Sequence, residues 1–476
     1  MASGAALHRW LGGVALAASV LSAGVAGAQA PGRCNGGPND GAICVQLPGQ
    51  ATPVTCTGGT CTAALVTSDH AAGVLIFPKI VSDPGGVLSG GVARDTLIQI
   101  TNIVGQPRSL HCFYVDATSR CFSGVPGSPP TGSNIDPTGV CETTANCVAG
   151  STCVPDWGQI DFDLTLTPEQ QIGWLASGGL TRPGVCVDGP RTGQECDVSN
   201  VATDCPGGTP TSCQLLPGSV NNVPARAPGV FVGELKCIEV ASEEDGAILP
   251  IFENDMIGQA TIYDVSPDTV VAATAAVDAR SYNAIGVQAI GTAGTGLVTQ
   301  SDGVLCLGAT AGSTECTTAE YAACPTQLVL DHFFDSAVVA TNVSVSTEVT
   351  FVPCSEDLES DSVPAVNTLQ FLVFNEFEQR FSASARVQCF REVQLSNLDR
   401  FPGQEATSIF NVAVQGSLTG QTRIRAVDGN ETEVGHGMLA IAEEFRTGAG
   451  GNHSSAFNLN YIGLPRAHGD FLRFVP

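Results

Sequence analysis

Residues 95–115 read DTLIQITNIVGQPRSLHCFYV, and residues 368–393 repeat their plan as TLQFLVFNEFEQRFSASARVQCFREV. In each, a run rich in β-branched and aromatic residues ends at an asparagine (Asn102, Asn375). A glutamine follows (Gln106, Gln379), and a second run carries Cys-Phe (Cys112-Phe113, Cys389-Phe390). With Asn102 laid on Asn375, Ile98 meets Phe371 and Ile100 meets Val373, a period-2 set that predicts one buried strand face. Both stretches therefore predict β-hairpins. Their likeness predicts an internal duplication with Cys112 and Cys389 on equivalent strands.

Outward from these two stretches the texture stays the same. Residues 73–81 (GVLIFPKIV), 161–167, 230–240, 256–265 and 281–291 read as strands in the first half, and 327–334, 343–353, 406–415, 418–427, 437–445 and 455–463 in the second. Residues 256–263 (MIGQATIY) resemble 418–425 (LTGQTRIR), and the segment from Ser281 resembles the one from Ser455, in the same order. Amphipathic helix is scarce, its best short candidate being PEQQIGWLAS at 168–177. The expectation is an all-β chain of two tandem, duplicated β-sandwich domains with disulfide-stapled, cysteine-rich loop insertions.

The insertions repeat as well. C-x-x-G-P-x-x-G-x-x-C occurs at 34–44 and again at 186–196, and the closing segment Cys56–Cys61 reappears loosely at 147–153 and 205–213, so modules of four cysteines each span 34–61, 121–153 and 186–213. The expected organisation is a signal peptide at 1–30, a cysteine-rich module at 31–66, a sandwich at 67–302 with inserts at 121–153 and 186–213, a connector at 303–327, and a second sandwich at 328–476. The N-terminus supports the signal: His8 and Arg9, a small apolar core, then Ala28-Gln29-Ala30, with export and cleavage after Ala30. No later stretch is long and apolar enough to predict a membrane span.

Nineteen cysteines in an exported chain predict disulfides. Bridges are expected within modules, among Cys34, Cys44, Cys56 and Cys61, among Cys121, Cys141, Cys147 and Cys153, and among Cys186, Cys196, Cys205 and Cys213. Four cysteines allow three pairings, which spacing does not separate. Outside the modules, Cys112 should pair with Cys237, Cys306 with Cys316, and Cys324 with Cys354. Cys389 is then left as a thiol, on a buried strand.

Without residues 1–30 the chain has 19 basic and 46 acidic residues, net −27. That balance excludes nucleic acid as a partner, because phosphate binding depends on clustered Lys and Arg. No G-x-S-x-G, H-E-x-x-H or P-loop string occurs. The one suggestive grouping is Asp331-His332 with Asp335, where two carboxylates flank an imidazole that could orient on them or join them on a cation. The acidic runs 243–245, 356–361 and 428–431 lack EF-hand spacing, so no cofactor is implied and calcium alone stays open.

The strings GVLIFPKIV, DTLIQITN, GELKCIEV, YNAIGVQAI, FVPCSED, FLVFNEFEQRFS and GSLTGQTRIR resemble a group of uncharacterised exported, cysteine-rich proteins of Gram-negative environmental bacteria. More distantly the hairpin plan is similar to immunoglobulin-like domains of bacterial surface proteins, an analogy of fold only. The leading expectation is a secreted or cell-surface structural or adhesive protein without catalytic activity, its partner an extracellular protein or glycan, with self-association open. Two alternatives stand beside it: an extracellular hydrolase or glycan-processing enzyme with a site at the domain interface, and a calcium-dependent surface-layer or fibre subunit.

Overall fold

The computed structural model describes most of residues 66–461, together with the short strands Pro31–Asn35, Ile43–Val45 and Thr60–Ala63. Residues 1–30, 36–42, 46–59, 290–306, 308–320 and 462–476, and shorter stretches that include 124–134, 242–250, 268–274, 355–365 and 429–436, lie outside the description. The signal segment and the acidic runs at 243–245 and 356–361 fall among them.

In the first half the strands are β1 (Val74–Asp83), β2 (Ala93–Asn102), β3 (Arg108–Asp116), β4 (Gln159–Leu166), β5 (Gln171–Leu175), β6 (Phe231–Val240), β7 (Met256–Pro267), β8 (Ala275–Asn283) and β9 (Ile285–Val287). They form two antiparallel layers, β4-β3-β6-β1-β9 and β5-β2-β7-β8, which join where Ser82 and Asp83 of β1 meet Asp95 and Arg94 of β2 and where Ala72, just before β1, bridges Met256 of β7. Period-2 alternation drives the packing. Leu75, Ile98, Ile100, Leu110, Leu164, Trp174, Leu235 and Ile262 point inward into one core.

In the second half come β10 (Gln327–Phe333), β11 (Val343–Pro353), β12 (Val366–Asn375), β13 (Arg380–Gln388), β14 (Arg391–Gln394), β15 (Thr419–Asp428), β16 (Met438–Gly448), β17 (Gly451–Asn458) and β18 (Asn460–Tyr461). Their layers are β13-β12-β15-β10-β18 and β14-β11-β16-β17. Within the layers the two halves share one topology, each of β1–β9 pairing as does the strand nine places later; the β1–β2 contact and the short edge strands Val66–Thr67 (on β9) and Ala337–Ala340 (on β11) have no counterpart.

The duplication is therefore present, but in a different alignment from the one the strings suggest. Residues 95–115 do not make a hairpin. β2 and β3 belong to opposite layers, so the turn at Asn102 is an arch between sheets, whereas β12 and β13 do pair as a hairpin. β3 corresponds to β12, and the strand of residues 256–263 corresponds to β16 rather than to β15. Cys112 and Cys389 are accordingly not equivalent: Cys389 sits past the end of β13, at φ 50° and half-buried, not within a buried strand. What the strings share is local. Asn102 accepts from Val104 N–H and Asn375 from Phe377 N–H, the same side-chain turn in two settings.

Two segments differ from expectation. Residues 171–175 are a strand, because Ile172 and Trp174 alternate into the core against β2. Within 406–415 there is no strand; a 3-10 turn and a one-turn helix (Val412–Gln415) stand there, capped by the Asn411 side chain on Ala413 N–H and closed by left-handed Gly416.

Each cysteine module is a three-stranded sheet with its first strand central: Pro31–Asn35, Ser119–Phe122 and Pro183–Cys186. Six bridges stand among the described residues: Cys112–Cys237, Cys121–Cys147, Cys141–Cys153, Cys186–Cys205, Cys196–Cys213 and Cys324–Cys354. The second and third modules thus pair first with third and second with fourth cysteine. Bridges among Cys34, Cys44, Cys56 and Cys61, and between Cys306 and Cys316, lie outside the described residues. The backbone registers nevertheless match, since Cys34 faces Cys61 as Cys121 faces Cys153 and Cys186 faces Cys213. The first module should therefore carry Cys34–Cys56 and Cys44–Cys61. Peptide mapping of the unreduced protein checks this, and a Cys34–Cys44 peptide would refute it.

Candidate functional site

The two sandwiches are not beads on a linker. The outer face of β1 (Val74, Ile76), with Phe113, Ile238 and Val287, is covered by Leu307, Tyr321 and Cys324 of the joining segment and by Leu439 of β16. This explains why GVLIFPKIV reads as a nearly unbroken apolar run: both faces of β1 are buried.

Within that run stands Lys79, fully buried. The β1/β6 register slips there, Phe77 facing Leu235 and Ile80 facing Gly233, so Pro78 and Lys79 together oppose Glu234 in a bulge. A bulge tolerates proline, which has no N–H for the ladder, and re-aims the next side chain. The Lys79 N–H that leaves the ladder donates to Tyr282 Oη at 3.2 Å, and the Tyr282 hydroxyl donates to Lys79 O.

Lys79 Nζ then crosses into the second sandwich, to Glu348 of β11 at 2.7 Å, Glu392 of β14 at 2.9 Å and Glu443 of β16. Glu348 and Glu443 are direct cross-strand partners, a like-charge pair that destabilises a sheet unless a cation intervenes. Arg280 of β8 completes the cluster: Nε donates to Glu443 and Nη1 to Asp264 at 2.7 Å, and Arg94 Nε reaches the same Asp264 at 2.6 Å. Burial opposes charge on Lys79, yet the three glutamates outweigh it and hold the ammonium protonated. Burial, with the charge of Glu392 beside it, raises Glu348 to about 7. Burial works in the same sense on Glu392, but Lys79 and a hydrogen bond from Glu348 keep that carboxyl low. One proton is best assigned to Glu348, shared toward Glu392. Nearby, Ser454 Oγ donates to Asp278 at 2.5 Å, and Asn458 Nδ2 donates to Asn283 O at 2.8 Å, joining the last residues of the equivalent strands β8 and β17.

Beside this lock opens a cleft of about 1070 Å³, bordered by Glu348 and Glu392, the second cysteine module, Trp157, and residues 390–402. No motif marks it in the sequence. Its one legible signal is Lys79 itself, a lysine inside an apolar run of a chain with 20 basic residues.

The grouping read from the sequence is not assembled. Asp331 faces solvent and accepts from Gln421 Nε2 at 3.0 Å. His332 is buried, bonded through Nδ1 to Phe333 O and through Nε2 to Thr422 Oγ1. Asp335 lies fully buried on the other side, accepting from Thr347 N–H, Ser396 N–H and Gln394 Nε2. Adjacent strand residues point to opposite faces, so Asp331 and His332 part by construction. Burial drops His332 to about 4, against an ordinary 6.5, which leaves it neutral. Among the described residues, groupings of three close ligand atoms occur at Cys121-Cys141-Cys147 and Cys186-Cys196-Cys205, whose sulfurs are bound in bridges.

The depressed His332 contributes stability that is complete above pH 6.5 and is lost as pH falls toward 4. Glu239 works in the opposite direction. Burial and Asp255 lift it from 4.5 to about 8 against the pull of Arg108, so its share is present below 4.5 and is lost as pH rises through 8. Melting temperature followed from pH 4 to 9 should fall at both ends. His332→Gln should flatten the acid limb, and Glu239→Gln the alkaline one; an unchanged alkaline limb in Glu239→Gln would show that another group sets it.

No family model matches the chain, and no curated protein does. Among solved structures, the N-terminal CBM22-1-CBM22-2 tandem domain of Paenibacillus barcinonensis Xyn10C aligns at 7% identity over 81% of this chain and 97% of that one, with a TM-score of 0.13. The CupB6 tip adhesin of Pseudomonas aeruginosa aligns at 10% identity over 82% and 99%, with a TM-score of 0.10. Scores this low leave the chain's fold to be read from its own strands.

Proposed function

We propose that this chain is an exported, non-catalytic β-sandwich protein that acts by binding or adhesion outside the cytoplasm. The observation that carries the reading is the lock between the sandwiches. Its carboxylates are spent on Lys79, Arg280 and Arg94, a use that fixes the two domains as one body. Of the three carboxylates that border the cleft, Glu348 and Glu392 share a hydrogen bond, and Asp399 is held by Arg400 at 3.2 Å and by Ser408 Oγ. A retaining glycosidase instead holds its two carboxyl groups about 5–5.5 Å apart, and an inverting one farther still. The six disulfides, and the export signal read at 1–30, support a location where thiols stay oxidised. Among the described residues no helix is long and apolar enough to cross a membrane. The resemblance to exported, cysteine-rich proteins agrees with this reading.

The test is to incubate purified mature protein with immobilised glycans and extracellular-matrix proteins, scoring retained protein and released product together. Saturable retention without product supports the proposal. Product formation abolished by Glu392→Gln would replace it with the hydrolase reading.

A further inference from the structure

The cleft makes two chemical demands that the protein itself does not meet. Arg391 is half-buried, and burial lowers its hold on its proton. Among the described residues its guanidinium donates to the backbone oxygen of Arg386 at 3.0 Å, and no carboxylate faces it. The border of the cleft includes Phe401, 79% exposed, and Trp157, whose φ of 54° is a conformation that bulky residues rarely adopt. Trp157 is pinned there by its N–H on Asp116 O at 2.7 Å and by Gly158 O, which accepts from Asp116 N–H at 2.9 Å.

An isolated anion and a flat apolar face converge in one kind of molecule. We propose that the cleft binds an oligosaccharide carrying uronic-acid residues, with a sugar carboxylate on Arg391 and the C–H face of a ring against Phe401 and Trp157. Spaced single charges suit the site better than a dense polyanion, since the chain carries 46 acidic residues against 20 basic and screening confines attraction to about 8 Å. The carboxylates of the cleft do not repel such a ligand as free charges would, because Lys79 holds Glu348 and Glu392, and Arg400 holds Asp399. The inference rests on the reading of the protein as a binder rather than a catalyst.

The intact mature chain supplies its own probe. Trp174 is buried and bonded to Tyr114 Oη, so a ligand-dependent change in tryptophan fluorescence reports on Trp157. Oligomers of about four to six units in which glucuronate alternates with N-acetylglucosamine should quench or shift it saturably, and bind at least about tenfold tighter than neutral oligosaccharides of equal length or than an acidic peptide. Arg391→Gln and Phe401→Ala should each weaken that binding about tenfold or more, while Phe377→Ala, an exposed aromatic away from the cleft, leaves it unchanged. Should Arg391→Gln fail to fold, Phe401→Ala still decides, because its side chain lies almost wholly in solvent. Equal binding of neutral oligomers, tighter binding of the peptide, no binding, or silent cleft variants would each overturn the site. If the cleft variants are silent while the protein still retains glycans elsewhere, the site falls and the binding role stands. If the uronate oligomers are shortened during incubation, the non-catalytic reading falls.

Discussion

A Lys79→Met variant should lose about 3–5 kcal/mol of unfolding free energy, because removing one partner of a buried ionic cluster strands the others. Methionine keeps most of the aliphatic stem, so packing changes little and the electrostatic loss is what is measured. What remains is Glu348 opposite Glu443, with Glu392 beside them and only Arg280 to balance the group. Neutralising a carboxylate as well should recover part of the loss. Lys79→Met with Glu443→Gln should not help much, since it takes from Arg280 its partner. Lys79→Met with Glu392→Gln removes a charge that has no other cation on it, and should restore about 1–2 kcal/mol. Glu348→Gln alone should be mild near neutrality, because that carboxyl, raised to about 7, already carries a proton part of the time. Because the cluster joins the sandwiches, the native chain should unfold in one step, and that step should split in two when Lys79 is lost. Denaturant unfolding followed by fluorescence and by calorimetry measures both effects. A Lys79→Met protein within about 1 kcal/mol of native, still melting in one step, would show that the apolar seam alone holds the domains together.

How much of this was legible depends on the range over which each residue acts. Strand alternation at Ile98/Ile100 or at Leu369/Phe371/Val373 is a local pattern, and it gave the all-β class directly. The within-module pairing of cysteines was legible for a similar reason, since short loops with Gly and Pro bring near neighbours together. The arch at Asn102 was not legible. Its Asn and Gln build the same turn as Asn375 and Gln379, and whether the chain then stays in its sheet or crosses to the other is decided by partners far away: β7 for β2, and β6 for β3. PEQQIGWLAS failed for a related reason, because a five-residue strand at a sheet edge shows too little alternation to outvote helix-friendly residues. The Lys79 cluster draws on residues more than 260 apart, so no spacing could have announced it. The Asp331–His332–Asp335 grouping shows the converse error, since closeness in sequence along a strand places neighbours on opposite faces.

The Cys112–Cys237 bridge should be the most costly to lose and the slowest to reduce. It joins directly opposed residues of β3 and β6, both fully buried among Leu110, Tyr114 and Leu235, and it closes a sequence separation of 125 residues. In the chain-entropy picture a loop of that length is worth roughly 5 kcal/mol, whereas the module bridges, with separations of 12 to 26, are worth roughly 3 kcal/mol each. A Cys112→Ala/Cys237→Ala double variant also leaves space in a packed core, which adds to the loss. Its unfolding free energy should therefore drop by about 5 kcal/mol or more, against about 3 kcal/mol for Cys196→Ala/Cys213→Ala, whose module has scarcely any core beyond its own sulfurs. Kinetics should separate the two classes further. A thiolate reaches Cys112 and Cys237 only when the sandwich opens, and reaches a module by local opening that leaves the sandwich intact. Mild reductant should thus release the sulfurs of residues 121–153 and 186–213 first and expose those loops to protease. The environment of Trp174, bonded to Tyr114 beside the core bridge, should meanwhile stay unchanged. Mass spectrometry of alkylated samples against time, read beside tryptophan emission, gives the order. Loss of Cys112–Cys237 at the pace of the module bridges would mean that the first sandwich opens as readily as its own insertions.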